Sequence, residues 1–446
     1  MTQLTFPRGF LWGAATSAHQ VEGGNDNSDW WDWELAPGTP CAAPSGAACE
    51  HYTRYPADIA LLASLGLNTY RFSVEWARVE PSEGVFDARE LDHYRGVVEC
   101  VLSNGLVPMA TLNHFTLPRW VAAEGGWTSK RVPALFERYC RRAVEALGDG
   151  VPWYCTINEP TALSTGGYMS DWGFPPRVVD VRRWRTSIGL LVDAHRRAVA
   201  AIHEVRPGVK AGLAMYSCER AANAGGKPAS EFGQRMNEDV FLEATAGDDF
   251  IGVQTYTRSQ LFLPRIAAPL TRLALAIRPL EGVVVPRVLA LKTAVAGTQA
   301  PPGARLTQMG WEYRPESLAA VVRRYSRLCP DKDLVVTEHG VATADDRERV
   351  EFIARGLTAL REAMADGARV RGYIHWSLMD NFEWAQGYRP TFGLVGVNWK
   401  TQERTVRPSA RYLGGIAKTG RLEVMDDPGP EAAGMAAAAR QGSATA

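Results

Sequence analysis

The stretch PALFERYCRRAVEALGDGVPWYCTINEP, residues 133–160, decides the fold. A helical pattern runs from 133 to 148, and a short apolar run, WYCTIN, follows at 153–158. That run ends in polar side chains, Asn158 and Glu159. A strand preceded by a helix and tipped with polar groups is one α/β unit, and the unit recurs along the chain. FLWGAAT (10–16) opens the series. NTYRFSV (68–74), LVPMATL (106–112), WYCTIN, VKAGLAM (209–215), FIGVQTY (250–256), LVVTE (334–338) and GYIHWSL (372–378) each follow a helical pattern. Gly105 suits the end of the helix before the third run.

Continuous apolar strands alternating with helices imply a parallel sheet covered on both faces. Eight such units imply a closed (β/α)₈ TIM barrel, of α/β class, rather than an open sheet. An open doubly wound sheet would carry a glycine phosphate fingerprint after its first strand. No G-x-G-x-x-G stands there, and no G-x-x-x-x-G-K-[ST] occurs. A barrel places its chemistry at the C-terminal ends of its strands. The polar residues fall at that end: His19 and Gln20, Arg71 and Glu75, His114, Asn158 and Glu159, Tyr256, Glu338 and Trp376.

Composition excludes several classes of function. The 446 residues are 46% hydrophobic and 22% charged, and Lys plus Arg equal Asp plus Glu at 49 each. No global charge therefore favours nucleic acid or an anionic surface. No apolar run approaches the roughly 18 residues that span a bilayer. MTQLTFPRG lacks the basic and apolar regions of a signal peptide, so a cytoplasmic location is expected. The seven cysteines are scattered with no C-x-x-C pair, which gives a zinc cage no support. Cys41 and Cys49 would bridge only in an oxidising compartment, and reduced thiols are expected. Fourteen tryptophans serve core packing or offer flat faces for sugar stacking.

One domain is expected over 1–424, with a tail at 425–446 that is Ala/Gly-rich and expected to be disordered. An apolar and basic insert occupies about 258–305. Between 261 and 298 it holds Arg265, Arg272, Arg278, Arg287 and Lys292 against one acid, Glu281. It reads either as a lid packed on the barrel or, more specifically, as an apolar wall for a greasy leaving group or a transient membrane-surface contact.

Glu159 and Glu338 sit at the tips of strands four and seven. Two carboxylates so placed, with no metal motif nearby, suit glycoside hydrolysis, although a lone Glu at a strand end equally suits a structural ion pair. One must be protonated to serve the leaving oxygen, and a low-polarity surrounding raises its pKa. The other must stay ionised, and a cation or donors hold it down. Arg71 is the candidate cation and Tyr256 the candidate donor.

FLWGAATSAHQVEGG, YRFSVEWARVEP, TLNHFTLPRW, TINEP, TEHG and WSLMDNFEWAQGY resemble glycoside hydrolase family 1, the β-glucosidase family, over roughly residues 5–418. The resemblance implies a retaining glycosidase that needs no cofactor and no metal. It implies Glu159 as acid/base, Glu338 as nucleophile and Asn158 on the sugar 2-hydroxyl. Gln20, His114, Trp376, Glu383 and Trp384 would complete the pocket of the nonreducing sugar, and Arg71 and Tyr256 would support the nucleophile. Retention implies carboxyls about 5–5.5 Å apart. Glu383, read as a carboxylate accepting from neutral hydroxyls, favours an unphosphorylated β-D-glucoside, galactoside or fucoside.

Several positions depart from the family pattern: Gln254 for Asn, Thr255 for Tyr, His339 for Asn, Thr116 for Asp and Phe174 for His. If His339 titrates near neutral pH, it shifts the environment of Glu338 there. The alternatives are a transglycosylase using the same intermediate and a non-hydrolysing sugar-binding relative. The only implied partner is a small-molecule glycoside. Nucleic acid and stable membrane insertion are not expected, and a homo-oligomer is compatible with the sequence.

Overall fold

The computed structural model describes residues 3–169, 173–276, 300–301 and 303–424. Eight parallel strands form the barrel: β1 (Leu11–Ala15), β2 (Thr69–Ser73), β3 (Val107–Asn113), β4 (Trp153–Asn158), β5 (Lys210–Tyr216), β6 (Phe250–Gln254), β7 (Asp333–His339) and β8 (Val370–Trp376). Each pairs with its sequence neighbours. β8 pairs with β1, and that contact closes the sheet. All eight expected strands are present, with ends shifted by at most two residues and the fourth strand unshifted.

Helices precede the last seven strands and cover the barrel: His51–Leu65, Ala88–Ser103, Val132–Leu147, Val181–Val205, the run from Lys227 to Ala244, Ser317–Leu328 and Asp346–Ala365. Their starts follow from local chemistry. Asp87, Asp180 and Asp345 accept hydrogen bonds from first-turn N–H groups that have no helical partner. Leu318, Val321, Val322 and Tyr325 recur every three or four residues and form the buried face of Ser317–Leu328. Burying each such aliphatic side chain contributes about 1.5–3 kcal/mol before entropy is counted. Gly105 follows the helix ending at Ser103 with φ +72°, the left-handed turn expected of it.

The barrel interior is filled, not open. Leu11, Ala15, Met109, Cys155, Phe250, Val335 and Ile374 pack across it. The outer core lies between the sheet and the helices. Beyond the barrel, Gln3–Thr5 pairs antiparallel with Arg421–Glu423. Glu219–Ala222, after β5, pairs parallel with Arg258–Leu261, after β6. The expected insert therefore begins as a strand of this small sheet and continues in a helix, Ala267–Ala276. Residues 277–299 and 302 of the insert, and the tail 425–446, lie outside the described residues.

None of the seven cysteines is in a disulfide, Cys41 and Cys49 included. Among the described residues no helix is long and apolar enough to cross a membrane.

Candidate active site

The C-terminal ends of β2, β4, β6 and β7 converge on two carboxylates. Glu159 leaves β4 with φ +43°, a left-handed conformation that costs a residue bearing a Cβ. Its N–H donates to the Ala214 carbonyl at 2.8 Å, which ties the turn to β5. Glu338 sits where the pairing of β7 slips against both of its neighbours, between Val336 and His339. Such a slip re-aims a side chain. Gly340 lets β7 pass close to β8, because a Cβ there would collide with the Trp376 carbonyl.

The two carboxyls are held differently. Arg71 Nη1 donates to Glu338 Oε1 at 2.5 Å, and the Tyr256 hydroxyl donates to Oε2 at 2.5 Å. Glu159 accepts no hydrogen bond from any described side chain. Burial, and next the charge of Glu338, push the Glu159 carboxyl well above its usual range. Burial also raises Glu338, but Arg71 and Tyr256 pull it back. The net direction for Glu338 is upward, whereas the sequence reading expected its two partners to hold it down. They restrain the rise rather than reverse it, because the group is only 3% exposed.

Asn158 links the groups. Its Oδ1 accepts from Arg71 Nη2 at 2.6 Å and from Gln254 Nε2 at 2.7 Å. Its Nδ2 must then be the donor to His114 Nε2, 3.2 Å away. An accepting Nε2 places the proton of the neutral ring on Nδ1. Burial, with Arg71 nearby, keeps His114 neutral by lowering its pKa well below the usual value. Its Nδ1 is buried without a partner among the described residues. A donor on His114 and the second N–H of Asn158 are thus available to a ligand's oxygens.

The side walls are aromatic. His114 stacks between Trp376, at 5.7 Å, and Trp384, at 6.2 Å. Trp384 also packs on Trp30, Phe115 and Phe174. The Trp376 side chain donates to Glu383, whose Oε2 is buried without a partner among the described residues. Burial, and next the charge of Glu338, push Glu383 up to about 8. Burial and the charge of Glu338 thus disfavour the ionised form of Glu383 in the free protein.

Several residues of the rim have partners within the protein. His19 and Gln20 lie on a short helix, Ala18–Val21, not on a strand tip. His19 stacks flat against Trp384 at 5.5 Å and meets Asn25 and Glu34 through its nitrogens, so it braces the wall. Gln20 Nε2 donates to Asn381 Oδ1 and to the Phe382 carbonyl, and its Oε1 accepts from Ser17. In this structure it pins the segment that leads to Glu383. Glu75 accepts from Thr116 Oγ1 and from the N–H of Ala77, capping Trp76–Val79. That explains Thr116 as a structural partner. Phe174 joins Trp30 and Phe115 edge to face. His339 does not titrate near neutral pH, because burial lowers its pKa to about 3. Its ring turns to the Tyr373 hydroxyl and stacks on Phe352 at 4.6 Å, away from Glu338's partners.

Two residues were missed. Gln254 was noted only as a departure, yet it pairs in register with Glu338, and that strand-tip level was the available signal. Trp311 packs 5.6 Å from Tyr256, with Met309 and Tyr216 packed against the same apolar cluster. The pairing of residues far apart in sequence hid it.

Comparison with known proteins agrees with this geometry. The family model described as glycosyl hydrolase family 1 matches residues 2–260 and 288–421, leaving a break inside the insert. The chain is similar to thermostable beta-glucosidase B of Thermobispora bispora, 32% identical over 94% of this chain and 92% of that one. It is similar to the bifunctional beta-D-glucosidase/beta-D-fucosidase of Bifidobacterium breve, 31% identical over 91% and 96%. Among solved structures, a beta-glycosidase from Pyrococcus horikoshii superposes with a TM-score of 0.83 at 32% identity, covering 95% of this chain and 97% of that one.

Proposed function

The chain belongs to glycosyl hydrolase family 1 and is a β-glycosidase, and from that premise we propose that it acts with retention on nonreducing, unphosphorylated β-D-glucosides, galactosides or fucosides. The observation that carries this reading is the unequal treatment of two neighbouring carboxyls. Glu338 has two side-chain donors, and Glu159 has none among the described residues.

Glu338, ionised, attacks the anomeric carbon. The bond from that carbon to the leaving oxygen breaks, and the proton of Glu159 goes to that oxygen. A glycosyl ester on Glu338 results. Glu159, now ionised, takes a proton from water as the water attacks the same carbon. The ester bond breaks, Glu338 returns as a carboxylate and Glu159 regains its proton. Asn158 Nδ2 donates to the 2-hydroxyl, and this bond strengthens as positive charge develops on the ring. His114, Gln20 and Glu383 hold the remaining hydroxyls, with Trp376 and Trp384 as flat walls. Arg71 and Tyr256 orient the nucleophile.

The relatives' names support a neutral sugar: one is a glucosidase and the other a glucosidase and fucosidase. Tyr216, Met309 and Trp311, partly buried around Tyr256, favour a hydrophobic aglycone. Proton NMR of the first product formed from an aryl β-glucoside is the test. The β-anomer is expected before mutarotation, and an initial α-anomer overturns retention. Glu338→Gln is expected to abolish turnover.

A further inference from the structure

The described start of the insert is built as a surface rather than as a wall of the site. We propose that residues 262–273 form a docking surface for a bilayer that carries anionic lipids. Arg258–Leu261 follows the C-terminal end of β6, so this segment stands on the rim that holds the carboxylates. Leu261 and Leu263 turn inward onto Ala229. Phe262 between them is 46% exposed, and Ile266 and Leu273 are 72% and 58% exposed. Ile266 lies in the turn just before the helix Ala267–Ala276, and Leu273 lies seven residues on, within it. Elsewhere among the described residues the large exposed apolar side chains are scattered along the chain.

Arg265 stands in the same turn and Arg272 in the helix, and both are exposed. Neither makes an ion pair among the described residues, although most arginines of the chain do. No Asp or Glu occurs from 259 to 276. The helix packed against this segment, Lys227–Gln234, carries one acid, Glu231, and it is matched by Lys227 at 3.7 Å. Arg235, just beyond that helix, is exposed and also makes no ion pair among the described residues.

Charge selects the occupant. Apolar pegs with arginines set beside them match the boundary between acyl chains and anionic headgroups. A protein interface of similar size would deplete charge at its centre. The docked chain would take glycosides whose aglycone is held in the membrane. The docking itself does not depend on which sugar the site accepts.

Flotation of the full chain with vesicles tests the proposal. One set is phosphatidylcholine alone, and the other contains about 30% phosphatidylglycerol. Binding is expected only to the anionic set, and it is expected to fall at about 0.5 M salt. Arg265→Gln with Arg272→Gln is expected to weaken partitioning about 25-fold, a factor of about 5 for each arginine. Phe262→Ser, Ile266→Ser and Leu273→Ser together are expected to abolish it. Each variant is expected to hydrolyse a soluble aryl β-glucoside at the parent rate, which reads folding and the sugar site separately. Equal binding to neutral vesicles, no binding to either set, or variants that bind like the parent would overturn the proposal. So would self-association, seen by light scattering, that the serine variant removes.

Discussion

Arg71 Nη1 lies 2.5 Å from Glu338 Oε1, while Nη2 of the same guanidinium lies 2.6 Å from Asn158 Oδ1. One planar fork therefore fixes the proposed nucleophile and the proposed 2-hydroxyl ligand relative to each other. Lysine has no such fork. Arg71→Lys is expected to lower kcat at least 100-fold with a smaller effect on KM. Arg71→Met leaves Glu338 buried without its cation, at a cost of about 3–5 kcal/mol if it stays charged. Its pKa rises instead, and the acid limb of the rate profile is expected to move to higher pH. Steady-state kinetics across pH checks both, and an unmoved acid limb would count against Glu338 as the group that must ionise.

The two carboxyls predict opposite failures. Glu159→Ala removes the proton donor, so substrates with poor leaving groups are expected to lose far more rate than nitrophenyl glycosides. Added azide needs no base and is expected to restore turnover as a β-glycosyl azide. Product analysis by NMR checks this, and an α-azide would contradict the scheme.

Glu383 titrates at about 8 in the free protein because burial and the charge of Glu338 disfavour its ionised form. Sugar hydroxyls donating to it favour the carboxylate, so its pKa falls on binding. The free state then holds more protons than the complex below about pH 8, and inhibition by glucose is expected to tighten as pH rises from 6 toward 8. Glu383→Gln is expected to flatten that dependence. Inhibition constants measured at several pH values decide it.

The barrel was legible because its signal is repeated eight times, and a period of helix then strand survives errors at any single boundary. Both carboxylates were legible because strand tips have a fixed place in a barrel. Glu338's restrained rise in pKa was not, since composition does not reveal how far burial outweighs Arg71 and Tyr256. His19 and Gln20 were assigned to the right neighbourhood and the wrong element, because the short helix Ala18–Val21 interrupts what reads as a continuous strand end. His339 misled for a related reason. Its position beside Glu338 in sequence says nothing of direction, and adjacent residues of a strand point to opposite faces.

His339 carries its own consequence for stability. Its folded pKa of about 3 lies below the usual value of 6.5. The unfolded chain therefore binds the extra proton between those values, and folding free energy is lost as pH falls through that window, by up to about 1.4 kcal/mol per pH unit. His339→Asn is expected to remove that share of the acid sensitivity. It also gives up stacking on Phe352 and the bond to Tyr373, so stability at pH 7 is expected to fall by about 1–3 kcal/mol. The rate profile near neutral pH is expected to stay in place. Thermal unfolding followed from pH 7 to pH 4, beside the rate profile, checks all three.

Gln254 supplies the most discriminating test of the network around Asn158. Its Nε2 is one of two donors on Asn158 Oδ1, at 2.7 Å, and the residue is fully buried. Losing one such bond costs about 1 kcal/mol, or roughly fivefold in rate when it is felt only in the transition state. Gln254→Ala is expected to show that loss in kcat, with KM little changed. A merely structural role would lower the rate on every substrate alike. A positioning role acts through the 2-hydroxyl, so the deficit is expected to vanish with a 2-deoxy-glycoside. Comparing kcat for the two substrates separates these outcomes, and an equal deficit on both would remove Gln254 from the pathway that runs through Asn158 to the sugar.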